Sequence, residues 1–272
     1  MTFDIAERSL ADGAPVRLYE FTRGALAWRY NSSGVDIEHL TRTYRAIAGG
    51  VSDDGVRQTG QAEPDKFVIT APGDIEVAQL YRGAPPASAV EVTVFARHVG
   101  VDDYVVIWSG EIRSVRWPRV DRCNITCSPM TVRINREGLR LGWERSCPHA
   151  MYTAACGVSP APLRVESSVQ DMDGATISNG DFAGFADGYF TAGYVEWAIG
   201  SGEYDRRGIE RHVGSTLQLL GGTSGLSLNQ PVRAYPGCPQ TVEACRFFQG
   251  NVLQFGGVPH LAGQSPFENN PF

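Results

Sequence analysis

Four of the six cysteines in this chain fall into two pairs, Cys147 and Cys156 in SCPHAMYTAAC and Cys238 and Cys245 in PGCPQTVEAC. Thiolates are the usual ligands of iron-sulfur clusters and are among the few ligands of zinc, so two such pairs can tie a remote segment back to the C-terminal tail. Eight residues lie inside the first pair and six inside the second. Zinc ribbons use tighter gaps of about two to four residues, and ferredoxin runs are tighter still. On spacing alone, a bound metal and four buried thiols are equal readings. Cys123 and Cys127, in DRCNITCSP, stand on one face of an expected strand about 13 Å apart, too far for one ion to take both. A radical-enzyme cysteine motif would need a third cysteine where Met130 stands, so these two read as core thiols.

His149 and His260 lie beside the cysteine segments, which raises a Cys-His peptidase or a mixed zinc site. Nothing flanking Cys147 or Cys156 supplies the local signature of a nucleophilic cysteine. His39, His98 and His212 read as surface or hydrogen-bonding residues. The chain lacks G-x-S-x-G, G-x-x-x-x-G-K-[ST], H-E-x-x-H and a strand-anchored G-x-G-x-x-G. The doublets Asp53-Asp54 and Asp102-Asp103 sit in turn-like contexts where solvated loop ends are the ordinary explanation. No catalytic residue is assigned. The closely spaced Phe182, Phe185, Tyr189, Phe190, Tyr194 and Trp197 leave a carbohydrate platform open beside the plainer reading of a β core.

The elements that must position these cysteines read as strands. Period-two alternation runs through residues 14–30, with Arg23-Gly24 at a turn, and returns in KFVITAP, DIEVAQLY, SAVEVTVFARHV, DYVVIWSGEIRSVRW and MTVRINREGLRLGW. VDIEHLTRTYRAI is the one stretch there that suggests a short helix or turn. The expected fold is all-β: small antiparallel barrels over 1–145, a first cysteine-pair segment over 146–160, an inserted β-domain over 161–235 and an irregular cysteine-rich tail over 236–272. The end of that tail, SPFENNPF, has no core pattern and reads as extended or docked on a partner. The 272 residues carry 24 Lys and Arg against 30 Asp and Glu, a net charge of -6, which argues against nucleic-acid binding as the main task. MTFDIAERSLADG lacks the apolar stretch of a signal peptide, and no run long enough to span a membrane occurs, so synthesis and assembly are expected in the cytoplasm. In that reducing compartment, cysteines read as thiols or metal ligands in preference to disulfides.

Two linked motifs carry a family likeness: R-x-C-P-H-A-M-Y-T-A-A-C-G-V and G-C-P-Q-T-V-E-A-C-R-F-F-Q-G-N-V-L-Q-F-G-G-V-P-H-L-A-G. With these the chain resembles the siphophage tail-tip hub proteins of the lambda minor tail protein L type, including relatives in gene transfer agents and Mu-like siphophages. The resemblance implies a [4Fe-4S] cluster held by Cys147, Cys156, Cys238 and Cys245, which match the motif positions one by one. It also implies a structural, non-enzymatic virion protein. Three copies would form a ring closing the tail tube, between the distal tail protein ring and the central hub and fibre, with the tape measure protein nearby and DNA passing without specific binding. Pro239 stands where the family often has Asp, and Met151 replaces a Leu; neither removes a thiolate. A tail-associated metal-binding hydrolase that cuts peptidoglycan and a carbohydrate-binding module using Tyr194 and Trp197 are the competing readings.

Overall fold

The computed structural model describes residues 2–9, 13–57, 66–134, 142–248 and 250–261. The chain is all-β and divides into two compact units, one formed by residues 1–136 with 199–205 and the other by 137–198 with 206–272.

In the first unit, helix α1 (Phe3–Glu7) precedes strands β1 (Pro15–Arg23), β2 (Leu26–Asn31), β3 (Ile37–His39), β4 (Arg42–Ala46), β5 (Ser52–Asp53) and β6 (Phe67–Pro72). After helix α2 (Glu76–Gln79) come β7 (Glu91–His98), β8 (Val105–Arg119), β9 (Arg122–Pro129) and helix α3 (Thr131–Ile134). The nine strands make one sheet in the order β3-β4-β2-β1-β7-β8-β9-β6-β5. Gly24, at φ +56, closes the β1–β2 hairpin in the left-handed conformation that glycine takes without steric penalty.

Alternation along β1 sends Tyr19 and Phe21 into the main core with Phe67, Ile69, Val92, Val94, Ile112 and Ile125. Val16 and Leu18 enter a smaller cluster with Ile37 and Tyr44 on the other face. The β3–β4 hairpin therefore covers the second face of β1, where the carboxylate of Glu20 is buried but met by Arg29 at 2.7 Å and Arg42 at 3.1 Å. A buried carboxylate left unpaired there would be strongly destabilising.

Three sequence expectations fail here. The helix considered within residues 35–47 is the β3–β4 hairpin, turned by Leu40 and Thr41 at φ 49 and 63 without any glycine to announce it. DIEVAQLY is not a strand: Ile75, Val77 and Ala78 are buried by α2, whose short turn happens to space them almost as a strand would. Within MTVRINREGLRLGW, Thr131–Ile134 is helical, and residues 135–141 lie outside the described residues. The expectation for the SPFENNPF end also falls outside them.

In the second unit, β10 (Val165–Ser168), β11 (Asp171–Asp173), β12 (Thr176–Ser178), β13 (Tyr194–Gly200), β14 (Glu203–Val213), β15 (Thr216–Leu219) and β16 (Pro231–Tyr235) form a sheet ordered β10-β16-β13-β14-β15-β12-β11. Phe182, Phe190, Val195, Trp197, Ile209, Leu217 and Val232 are buried in this unit. Helix α4 (Val242–Phe247) follows, its first turn capped by the Thr241 hydroxyl accepting from the Ala244 N–H at 3.2 Å.

The main core of the first unit makes a quantitative expectation. Ile125, fully buried at the centre of β9, leaves a cavity on truncation, so Ile125→Ala lowers stability by about 2–5 kcal/mol. Val120→Ala, at an exposed turn, stays within about 0.5 kcal/mol. Urea unfolding of the two variants measures the difference.

Candidate metal centre

The four cysteines of the two pairs come together in the second unit, although their segments are separated by the whole seven-stranded sheet. The sheet does this by delivering β16 next to β13. Past Tyr235 the chain makes a close passage: a Cβ on Gly193 would overlap the Tyr235 carbonyl, and one on Gly237 would overlap the Thr191 carbonyl. Only glycine fits at either position, and Cys238 follows directly. Helix α4 then carries Cys245, whose N–H donates to the Thr241 carbonyl at 3.1 Å.

The first pair is brought to the same place by main-chain bonds. The Cys147 N–H donates to the Gln240 carbonyl at 2.9 Å. The Asn251 side-chain amide donates to the Cys156 carbonyl at 2.5 Å, and the Asn251 N–H donates to the Cys245 carbonyl at 2.7 Å. Asn251 thus links a ligand candidate of each pair. Tyr152, in the loop between Cys147 and Cys156, donates from its hydroxyl to the Pro236 carbonyl at 2.8 Å. Its ring meets Tyr194 and Tyr235 edge-on.

The sulfurs sit in a part-apolar setting with N–H donors aimed at two of them. Cys147, Cys156 and Cys245 are buried and Cys238 is half-buried. Cys156 packs with Val158, Ala244 and Phe248, against which Met151, Tyr152, Leu163 and Cys238 also rest. The Gln240 N–H donates to Cys238 Sγ at 3.3 Å, and the Gly256 N–H donates to Cys147 Sγ at 3.4 Å. Burial pushes the Cys245 thiol up, and Cys147, Cys238 and Cys156 add to the rise. Burial likewise raises Cys238, opposed by the Gln240 N–H and reinforced by Cys156 and Cys147. At Cys238 and Cys245, where neighbouring sulfurs oppose ionisation, the thiols either keep their protons or share a cation.

These residues fit an iron-sulfur cluster in donor chemistry: four thiols, N–H groups directed at sulfur, and an apolar wall against water. Among the described residues, no group of three or more His, Cys, Asp and Glu side chains is placed to hold one metal ion. Cys123 and Cys127 stay apart from this site. Both are fully buried in the first unit, on one face of β9 as their spacing predicts, and burial raises both thiols.

The histidines separate by role. His149 and His260 make no hydrogen bond to a cysteine sulfur among the described residues. His98 is buried and meets Glu7 at 2.7 Å. His212 is buried against the Phe182 and Gly214 carbonyls, and His39 stacks on Tyr104 at 3.7 Å. The aromatic stretch is largely core: Trp197 is buried under Arg207, and Tyr194 stacks on Tyr235 at 4.5 Å beneath Arg206. Neither ring offers an open face to a sugar.

The glycine pair of the tail, part of the Phe-Gly-Gly landmark of the resemblance, gains a physical reason. A Cβ on Gly256 would overlap the His149 imidazole, and one on Gly257 would overlap the Ser146 carbonyl. The tail therefore runs against residues 144–149 at backbone distance, and the Val258 N–H donates to the Glu144 carbonyl at 2.8 Å. The adjacent Gly-Gly of QFGGVPH was the available signal. Gly256→Ala and Gly257→Ala each displace the tail at a cost of about 1–3 kcal/mol and speed trypsin cleavage within residues 142–261. Gly184→Ala, in open space, leaves the digestion pattern unchanged.

Comparison with known proteins bears on both the tail and the fold. Residues 188–265 match the family described as phage conserved hypothetical protein BR0599. An uncharacterized protein of Xylella fastidiosa (strain 9a5c) is 27% identical over 188 residues, 64% of this chain. This chain spans only 38% of the length of that relative. A solved structure titled virion of native gene transfer agent (GTA) particle contains a chain that superposes with a TM-score of 0.80 at 17% identity, covering 99% of this chain and 95% of that one. The fold, taken over both units, is one shared with a chain of that particle.

Proposed function

We propose that the chain is a structural subunit of a phage-type tail tip. In this reading three copies form a hub ring in the virion, joining the distal tail protein ring to the central hub and fibre and closing the DNA channel, after assembly in the host cytoplasm. Cys147, Cys156, Cys238 and Cys245 hold a [4Fe-4S] cluster, and the role of the chain is geometric, with no turnover. The observation that carries the reading is the end-to-end fold match to a chain of a gene transfer agent particle, 99% of one chain against 95% of the other. The match of residues 188–265 to a phage family supports it, because that segment contains Cys238 and Cys245.

Preference for a cluster over zinc rests on the donor set. A single zinc draws four sulfurs around one point, whereas a cubane takes each thiolate at a different iron and accepts a wider spread. The absence of a single-ion group among the described residues is compatible with the second arrangement. When bound, the group would supply four metal-thiolate bonds and the positive charge that lets buried thiols ionise. The Gln240 and Gly256 N–H groups then stabilise the thiolates, Met151, Val158 and Phe248 exclude water, and the Asn251 amide keeps the Cys156 and Cys245 segments in register.

Anaerobic purification followed by iron and sulfide analysis tests the site. The expected result is a brown protein with about four irons per chain, lost when any of Cys147, Cys156, Cys238 or Cys245 becomes Ser and retained in Cys123→Ser and Cys127→Ser. Zinc, or no metal, overturns the cluster. Chelation of the iron is expected to open the second unit to protease while sparing the nine-stranded sheet. Light scattering that gives a monomer in the assembled tip's conditions would count against the ring.

A further inference from the structure

The outward face of the β6–β9–β8 segment carries chemistry that neither the cysteines nor the fold account for. Backbone register aligns Ser52, Thr70, Asn124 and Arg116 in one row across β5, β6, β9 and β8. The alternate residues of β9, Cys123, Ile125 and Cys127, face the core. Beside this row lies a cavity of about 640 Å³ lined by Ser32, Ser52, Thr70, Asn124, Arg119 and Arg122, with the Gly49–Val51 turn and Pro118. That volume is in the range of ligand sites.

Among the described residues the lining is rich in donors and contains no carboxylate. The Arg122 guanidinium is braced by donating to the Gly50 carbonyl at 3.2 Å. The Thr70 hydroxyl donates to Asn124 Oδ1 at 3.4 Å, and the Asn124 side chain lines the cavity. Among the described residues neither Arg119 nor Arg122 has an ion-pair partner. Asp121, in the turn between them, is exposed and does not line the cavity. Two guanidinium forks with an amide donor match acceptor-rich anions, above all carboxylates taken in bidentate fashion.

Two observations select the ligand class. Among the described residues no aromatic ring lines the cavity, so nucleobases have nothing there to stack on, and the net charge of -6 repels a long polyanion. A short acidic peptide places its charge locally and avoids both objections. Three of the four acids in this chain's own doublets are engaged: Asp53 with the Tyr19 hydroxyl, Asp54 with the Val68 N–H and Asp103 with the Phe3 N–H. We propose that this cavity docks an acidic peptide segment of a different polypeptide, its carboxylates on Arg119 and Arg122 and its main-chain carbonyls on Asn124 and Ser52. The proposal deepens the assembly reading, but it is independent of iron, so its failure leaves the cluster test untouched.

Fluorescence anisotropy of a labelled Gly-Asp-Glu-Asp-Glu-Gly peptide on the full chain, at low and at physiological salt, is the test. Saturable binding is expected, weakened roughly tenfold by Arg119→Gln or Arg122→Gln and abolished by Asn124→Asp. Arg113→Gln, exposed on the same strand but outside the cavity, is expected to bind as the parent does. Arg119 is also exposed, so its variant melts with the parent and its loss of binding is not unfolding. Equal binding of Gly-Asn-Gln-Asn-Gln-Gly, unchanged affinity in both arginine variants, or no binding at all overturns the proposal. Tighter binding of oligodeoxythymidine overturns it in favour of phosphate, and self-association abolished by Arg119→Gln overturns it in favour of a second copy.

Discussion

Four cysteine sulfurs gathered at one end of the second unit are the constraint on which the end of this protein depends. Thiols at Cys238 and Cys245 are raised by burial and by the other cysteines. Left alone, such a group is a weakly cohesive patch of polarizable atoms. Given a multivalent cation, the same repulsion becomes attraction to a shared centre, and every main-chain bond that aligns the four segments gains a reason to exist. The Asn251 bonds, the Gln240 carbonyl on the Cys147 N–H and the glycine passages all act to bring sulfur to sulfur.

Apolar burial is unevenly shared between the sheets and the tail, and the proposed centre would act where it is least. The main core of the first unit contains seventeen buried residues, whereas the cluster around Cys156 contains four, one of them the cysteine itself. Ordering backbone costs about 1–2 kcal/mol per residue. In the tail, helix α4 spans six residues, and the other bonds are turns and single long-range contacts such as the Val258 N–H to the Glu144 carbonyl. The two sheets, by contrast, are held by ladders and packed faces and do not draw on the cysteines.

What was legible in the sequence follows the same division. β1, β6, β7 and β9 were visible because buried residues alternate along each and the sequence records it. The β3–β4 hairpin was hidden because Leu40 and Thr41 make its left-handed turn without glycine, and α2 was hidden because Ile75, Val77 and Ala78 fit either period over so short a span. For the site, cysteine spacing was nearly silent, and the motif resemblance named the four positions. Their convergence was not readable from spacing, because it depends on β16 lying beside β13 and on two glycine passages where backbone meets backbone. Gly256 and Gly257 were open to reading as a turn, but what they approach, His149 and Ser146, lies more than a hundred residues away in sequence.

That arrangement makes the cysteines depend on structure around them. Cys238 is placed by the pairing of β16 with β13 and by the passage of Gly237 at the Thr191 carbonyl, so its position rests on the second sheet. Cys147 is tied in turn to the Gln240 carbonyl, two residues past Cys238, and Asn251, in the turn after α4, reaches back to Cys156. In the proposed reading, a metal centre at these cysteines would lock a tail that the sheet and the glycine passages already steer into place.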